Sequence, residues 1–397
     1  MPSDAFPAVM PTYGRSPLRP VRGEGVWLFD ADGKKYLDFA GGIAVNAFGH
    51  CHPHLVEALK KQAETLWHTS NLYQSEGQEK LAGRLVATTF ADSVFFTNSG
   101  VEAVECAIKM ARKYHHDNGD GNRNRIICAR SAFHGRSLAT IAAGGQEKNM
   151  EGFGPPVEGF DHVAFGNLNE MRAAITEETA AIMVEPIQGE GGINVGTDDY
   201  LKGLRAVADE FGILLIFDEI QSGMGRTGKL FAHEWAEVEP DIMASAKGIG
   251  GGFPLGACLA VEKAARALGP GTHGTTYGGN PLAMAAGNAV MDLMEDPAFM
   301  KNVTRVATYL FDKLGHLIKA HADVFVAARG RGLMVGLKCA EGINNRDMMT
   351  ALMEAGLLVA PGGDNVIRLL PPLIITEADV DAAIDILSRV ATEKRGG

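Results

Sequence analysis

Short apolar runs with polar residues at or near their ends alternate along the chain with longer stretches in which apolar residues recur every three or four positions. The runs are "VFFT" (94–97), "RIICAR" (125–130), "AAIMVEPI" (180–187) and "ILLIFDEIQ" (213–221). Each reads as a strand buried on both faces. Between them, Leu55, Leu59, Ala63 and Leu66 share one helical face, as do Leu201, Leu204, Val207 and Phe211. A further helix is predicted from Val101 onward, after a turn at Asn98-Ser99-Gly100. "VWLFDADGKKYLDF" (26–39) alternates around Asp32-Gly33 and predicts a β-hairpin. Strands alternating with helices imply a largely parallel α/β sheet, whose ligands gather at the carboxyl ends of the strands. Asn98, Glu185 and Asp218 stand at such ends. Beyond Met284 the texture changes to a long helical stretch, the short strands "GLMVGLK" and "NVIRLL", and a last helix from 376 to about 392. We therefore expect three parts: an N-terminal segment (1–45) packing with a small domain, a large α/β domain (46–285), and a smaller α+β domain (286–397). No internal repeat or long linker interrupts them, and the Pro-rich first twenty residues are expected to lie extended on the surface.

Composition narrows the function class. The chain has 397 residues, 46% of them apolar and 21% charged, and a formal net charge of −11. That charge speaks against a nucleic-acid surface or an anionic membrane as partner. Five scattered cysteines without a C-x-x-C pair predict free thiols in a reducing cytosol. Three prolines in the first eleven residues do not read as a signal peptide, and no apolar run is long enough to span a membrane. A cytoplasmic protein is the expectation.

The segment "DIMASAKGIGGGFPLG" (241–256) sets Lys247 among small residues and glycines. It is not a phosphate-binding P-loop, since no Gly-Lys-Ser/Thr follows the glycines and no strand is read before them. A lysine amine desolvated there has its pKa lowered and can form an imine with an aldehyde. An ordinary loop lysine at a Gly-rich turn is the competing reading. Asp218 tips the balance. A carboxylate ending an apolar strand is costly to bury unpaired, and a protonated ring nitrogen would stabilise it. The strand–"NSG"–helix passage offers free backbone N–H groups and a positive dipole end to a phosphate, with the Ser99 hydroxyl as cap, phosphate ligand or both. Imine lysine, ring carboxylate and phosphate cradle together are the needs of pyridoxal 5'-phosphate.

Eight segments then carry a resemblance: "GGIAVNAFGHCHP", "FFTNSGVEA", "AFHGRSL", "VEPIQGEGG", "FDEIQSGMGRTGKLFAHEW", "SAKGIGGGFPLGA", "THGTTYGGNPLA" and "RGRGLMVGL". In this order, from about Gly23 to Pro372, the chain resembles the class III (ω-amino) aminotransferases, which are pyridoxal-phosphate enzymes of fold type I. The resemblance implies an imine-forming and proton-shuttling role for Lys247 and a pyridinium partner in Asp218. It implies cofactor contacts from Ser99, Gly100, Val101, Phe133 (stacking on the ring), Glu219, Ile220 and Gln221 (at the ring hydroxyl). Thr276 is implied as a phosphate ligand given across the interface of a homodimer with shared active sites, with Thr275 beside it at the substrate. Arg136 and Arg368 are implied as carboxylate binders, and Glu190 as a movable partner of Arg368. Val101 and Val104 depart from the family's usual Ala or Thr and Asn, which bears on phosphate affinity and not on reaction type.

"TLWHTSN" and "GGIAV" resemble the family's arginine-biosynthetic branch. The implied donor is N2-acetylornithine, and the implied acceptor is 2-oxoglutarate, which becomes glutamate. Succinylornithine, succinyl-diaminopimelate, ornithine and 4-aminobutyrate are the same-scaffold alternatives, and a non-catalytic cofactor-binding protein is the alternative from another class. The histidine cluster "GHCHPH" (49–54) admits a metal reading. Packing and turn roles for Cys51 and His52 are preferred, and no metal is expected.

Overall fold

The computed structural model describes residues 6–395. The expected surface position of the N-terminus therefore falls partly outside the described residues, at 1–5. Residues 6–19 form neither helix nor strand, and all but Leu18 are exposed.

A seven-stranded sheet organises the molecule. Its order is Ser93–Thr97, Gly256–Ala260, Ile242–Ser245, Leu214–Asp218, Thr179–Val184, Arg125–Ala129, Phe160–Val163. Gly256–Ala260 runs antiparallel to both neighbours, and every other pairing is parallel. The apolar runs are continuous because both faces are covered. Leu214 and Ile216 pack with Ala103, Ala107 and Ala111 of the helix Gly100–Asp117. Leu215 and Phe217 pack on the other face against Leu201, Leu204 and Val207 of the helix Asp198–Phe211. Each such side chain, fully buried, contributes roughly 1.5–3 kcal/mol.

The pattern misplaced some residues. Leu66 lies beyond the end of the helix Pro53–Ala63 and is exposed, and Phe211, the last residue of its own helix, is exposed as well. A strand, Ile242–Ser245, does precede the Lys247 glycines. Its four residues are buried and two of them are small, so no alternation marks it. The absence of Gly-Lys-Ser/Thr still excludes a P-loop.

Past Met284 the helices Pro281–Met294 and Pro297–Ala320 lead to an antiparallel sheet of order Phe325–Arg331, Met334–Cys339, Val366–Leu369, Ala360–Pro361. The N-terminal strands Pro20–Glu24, Trp27–Asp30 and Lys35–Asp38 form a third sheet, and Lys35–Asp38 pairs in parallel with Leu357–Leu358. No helix among the described residues is long and apolar enough to cross a membrane.

Candidate active site

The parallel register places the two central groups side by side. Asp218 is the register partner of Ala244, three residues before Lys247. Because strand side chains alternate, Asp218 shares its face with Leu214 and Ile216, the face covered by the helix that starts at Gly100. Glu219 therefore turns the other way. Although expected among the cofactor contacts, it does not line the pocket. Its fully buried carboxylate accepts from the Ser222 hydroxyl at 2.5 Å and the His233 N–H at 2.8 Å, and burial lifts its pKa to about 7.

A cavity of about 510 Å³ opens at this end of the sheet. Lys247 and Asp218 line it, with Ser99, Gly100 and Val101 on one side and Phe133 with Arg136 on another. Ile220, Gln221, Glu190 and Arg368 complete the expected residues that it gathers. A cleft of about 980 Å³ lies elsewhere, but there Arg205 and Lys263 are already paired with Asp241 at 2.8 and 2.6 Å.

Lys247 follows its strand in a left-handed conformation, φ 51°. A non-glycine residue there costs on the order of 1–3 kcal/mol and persists when its surroundings over-determine it. Burial lowers its pKa to about 8, and the Arg368 charge adds to that. Asp218, Glu185 and Glu190 oppose the shift.

Asp218 is 4% exposed, and its burial is offset by a partner that sequence reasoning missed. His134 Nδ1 lies 2.8 Å from Asp218 Oδ2, and the Ile220 N–H donates to Oδ1 at 3.0 Å. Burial alone would drive the His134 pKa down. The hydrogen bond to Asp218 and the charges of Asp218 and Glu185 overcome that and hold it above the ordinary value. The signal was present in "AFHGR", where the polar residue follows the aromatic, but 84 residues separate His134 from Asp218.

Glu185 was seen only as a residue at a strand end. It accepts from the Phe133 N–H at 3.2 Å and the Gly189 N–H at 3.3 Å, so it ties the loop of Phe133 to the loop of Glu190. Burial raises its pKa to about 7, with the Asp218 charge adding and His134 opposing.

On the phosphate side Ser99 caps the helix Gly100–Asp117. Its hydroxyl accepts from the Glu102 N–H at 3.5 Å and donates to the Glu102 carboxylate at 3.0 Å. Glu102 reaches back to the Asn98 N–H at 2.7 Å. The Gly100 and Val101 N–H groups belong to the first helical turn, which has no intrahelical acceptors for them. A Cβ on Gly100 would come within 2.7 Å of Ile220 Cδ1, so the Ile220 side chain would have to shift to admit one. Val104 is fully buried and faces the sheet core.

At the mouth, Arg136 is exposed and lies 5.5 Å from the Phe133 ring centroid. Arg368 is 4% exposed and donates to the Pro361 carbonyl at 2.9 Å and to Gln221 Oε1 at 3.3 Å. Burial lowers its pKa, while Glu190 and Glu185 pull it back up. Glu190, expected to pair with Arg368, instead lies 3.4 Å from Lys148 Nζ. Thr275 and Thr276 do not line the pocket of their own chain. Thr275 Oγ1 accepts from the Gly278 N–H at 3.0 Å and the Asn98 amide at 3.5 Å, and Thr276 is exposed. The histidine cluster is dispersed: His50 pairs with Asp38, His54 with Asp292, and His52 packs edge-on to Phe48.

A lysine of lowered pKa and a histidine-backed carboxylate, lining one pocket with a helix start, fit one kind of cofactor. The helix start at Gly100 offers backbone N–H groups to a phosphate, and the buried carboxylate suits a protonated ring nitrogen. The fold and site define a pyridoxal-phosphate-dependent enzyme. The family model for aminotransferase class III matches residues 9–391. The chain is 58% identical to an acetylornithine aminotransferase of Brucella melitensis over 373 residues, 94% of this chain and 92% of that one. It is 54% identical to an acetylornithine aminotransferase of Rhodobacter capsulatus, covering 97% of each. Among solved structures, an ornithine aminotransferase of Toxoplasma gondii superposes with a TM-score of 0.94 at 30% identity, covering 98% of this chain and 93% of that one. An N-acetylornithine aminotransferase of Stenotrophomonas maltophilia gives a TM-score of 0.85 at 35% identity, covering 97% and 98%. This chain belongs to the class III aminotransferases.

Proposed function

We propose that the enzyme moves the δ-amine of N2-acetyl-L-ornithine to 2-oxoglutarate, giving N-acetylglutamate 5-semialdehyde and glutamate, a step of arginine biosynthesis. The observation that carries this reading is one lysine-floored pocket holding two guanidiniums of unequal exposure, Arg136 and Arg368. A planar guanidinium takes a carboxylate through two parallel hydrogen bonds. Arg136 holds the single carboxylate of the donor, and both arginines are used for the two carboxylates of the acceptor. The names of the relatives from Brucella and Rhodobacter support the acetylated donor.

Pyridoxal phosphate, when bound, supplies an electron sink and carries the amine between the two substrates. Ser99, Gly100 and Val101 would hold its phosphate, Phe133 its ring face, Gln221 its ring hydroxyl and Lys247 its aldehyde carbon. Asp218 would keep the ring nitrogen protonated, and His134 Nδ1, 2.8 Å away, fixes that carboxylate. Lys247 takes the proton from the donor's δ-carbon, and its lowered pKa makes the neutral amine available near neutral pH. In the reverse sense it delivers a proton to C2 of the acceptor. Glu190 answers Arg368 while the donor is bound and leaves it when the acceptor enters.

The active unit on this reading is a homodimer, in which Thr275 and Thr276 serve the site of the second copy. Trp67, Leu72 and Tyr73 are exposed, and His68 contacts the exposed Tyr277 with ring centroids 5.2 Å apart, joining both segments into one apolar patch beside Thr276. A patch of this kind marks an association surface. Residues 46–285 form the cofactor domain, and the segment 1–45 joins the domain 286–397 through the pairing of Lys35–Asp38 with Leu357–Leu358.

Steady-state kcat/KM for N2-acetylornithine, N2-succinylornithine, ornithine and 4-aminobutyrate, each with 2-oxoglutarate, tests the assignment. Acetylornithine should exceed ornithine by about tenfold or more, since ornithine brings an unacylated ammonium into a site with no carboxylate reserved for it. Preference for ornithine or 4-aminobutyrate would overturn the donor assignment.

A further inference from the structure

We propose that Lys148 is a second seat for the Glu190 carboxylate, so that this side chain exchanges between Lys148 and Arg368 and sets whether Arg368 is free for a substrate carboxylate. The inference rests on the two-carboxylate reading of Arg136 and Arg368 given above.

Two geometric facts carry it. Glu190 Oε1 lies 3.4 Å from Lys148 Nζ, while Arg368 directs Nε to the Pro361 carbonyl and Nη1 to Gln221 Oε1. Glu190 and Arg368 nevertheless line the same cavity, and the Glu190 charge raises the Arg368 pKa. The second fact is that the Glu190 backbone is pinned. The Gly363 N–H donates to the Glu190 carbonyl at 2.7 Å, and the preceding Gly189 N–H is held by Glu185 at 3.3 Å. A Cβ on Gly189 would fall 2.1 Å from Gln221 Oε1, so that peptide is packed against the pocket wall. The loop itself has no room to travel, and exchange takes place by side-chain rotation. Glu190 is about a quarter exposed, which leaves that rotation open.

Lys148 is held where the rotation ends. It lies on the short helix Glu147–Met150, whose preceding residue Gln146 donates through its side chain to the Ala132 carbonyl at 2.7 Å. The neighbouring Asn149 is buried. The base of Lys148 is thus anchored to the loop that carries Phe133, while its ammonium extends into solvent. An exposed ion pair of this type moves an equilibrium by about 1.5- to 5-fold. Such a modest hold suits a device that an incoming carboxylate must reset in every turnover. A buried, tightly bonded partner would leave Glu190 in one position throughout.

The test uses the holoenzyme and the variants Lys148→Met, Lys148→Arg, Glu190→Gln and the Lys148→Met/Glu190→Gln double. The dissociation constant of glutarate, a dicarboxylate that cannot react, is measured by calorimetry. Single-turnover rates with glutamate and with acetylornithine are measured beside it. Lys148→Met should return Glu190 to Arg368, weaken glutarate about two- to fivefold and lower the glutamate-to-acetylornithine rate ratio by a similar factor. Lys148→Arg should restore both. In the double variant the glutarate constant should equal that of Glu190→Gln alone. An unchanged glutarate constant in Lys148→Met overturns the proposal. So does an equal weakening in the Glu190→Gln background, which would mean that Lys148 acts on the ligand directly. If Glu190→Gln shifts the rate ratio while Lys148→Met does not, the gate stands and only its second seat fails. If Glu190→Gln leaves the ratio unmoved, the two-position gate and the proposal fail together.

Discussion

At the floor of the pocket the Asp218 carboxylate is fixed from two sides, by His134 at 2.8 Å and by the Ile220 N–H at 3.0 Å. At its mouth the Glu190 carboxylate meets an exposed lysine at 3.4 Å. Both are acids lining one cavity, yet one is 4% exposed and the other is about a quarter exposed. The floor residues stand on parallel strands or directly after them, and register decides their spacing. At the mouth, Arg136 and Glu190 stand on loops, and the Glu190 side chain retains a choice of partner, while Arg368 is held on the strand Val366–Leu369. On the reading proposed above, this difference separates two tasks: the floor serves a reaction common to both substrates, and the mouth tells them apart.

Changes at the floor should therefore be large and indifferent to substrate. Lys247→Ala removes the proton-moving group and should cut both half-reactions by at least the 10²–10⁴ typical of a positioned acid or base. Turnover near the wild-type rate would refute the role. His134→Ala leaves the buried Asp218 carboxylate without its Nδ1 partner and should destabilise the fold by about 1–3 kcal/mol, read from the denaturation midpoint. His134→Asn, which can offer a donor in place of Nδ1, should recover part of that. An unchanged midpoint in His134→Ala would show that the pair is dispensable.

A pH effect sharpens the same contrast. On the proposed reading the neutral Lys247 amine is the nucleophile, and burial lowers its pKa to about 8. Capture of pyridoxal phosphate by the cofactor-free chain should rise about tenfold per pH unit below 8 and level off above it. Rates still climbing at pH 10 would mean an unperturbed lysine. The smallest effect is expected at the mouth. Glu190→Ala should leave Arg368 permanently available and shift the ratio of the half-reaction rates in favour of glutamate by only several-fold.

The same division explains what could be read from the chain alone. Leu214 to Phe217 and Ile126 to Ala129 announce buried strands because each is apolar on both faces, and Asp218 stands out at the end of its run. Ile242–Ser245 escaped because a short buried strand containing Ala and Ser carries no periodic signal. Glu219 was misplaced because neighbours on a strand end face opposite sides, which motif matching ignores. His134 was missed because its partner is distant in sequence and only the sheet order brings them together. Lys148 was invisible for a different reason. Its role depends on which of two partners a flexible side chain prefers, and no spacing encodes that.

Single-turnover rates for the acetylornithine and glutamate half-reactions, taken from the absorbance of the bound cofactor in Asp218→Asn and Glu190→Ala, test the division most directly. The account predicts that Asp218→Asn slows both half-reactions by the same large factor, whereas Glu190→Ala changes their ratio. A changed ratio in Asp218→Asn, or an equal slowing of both half-reactions in Glu190→Ala, would contradict it.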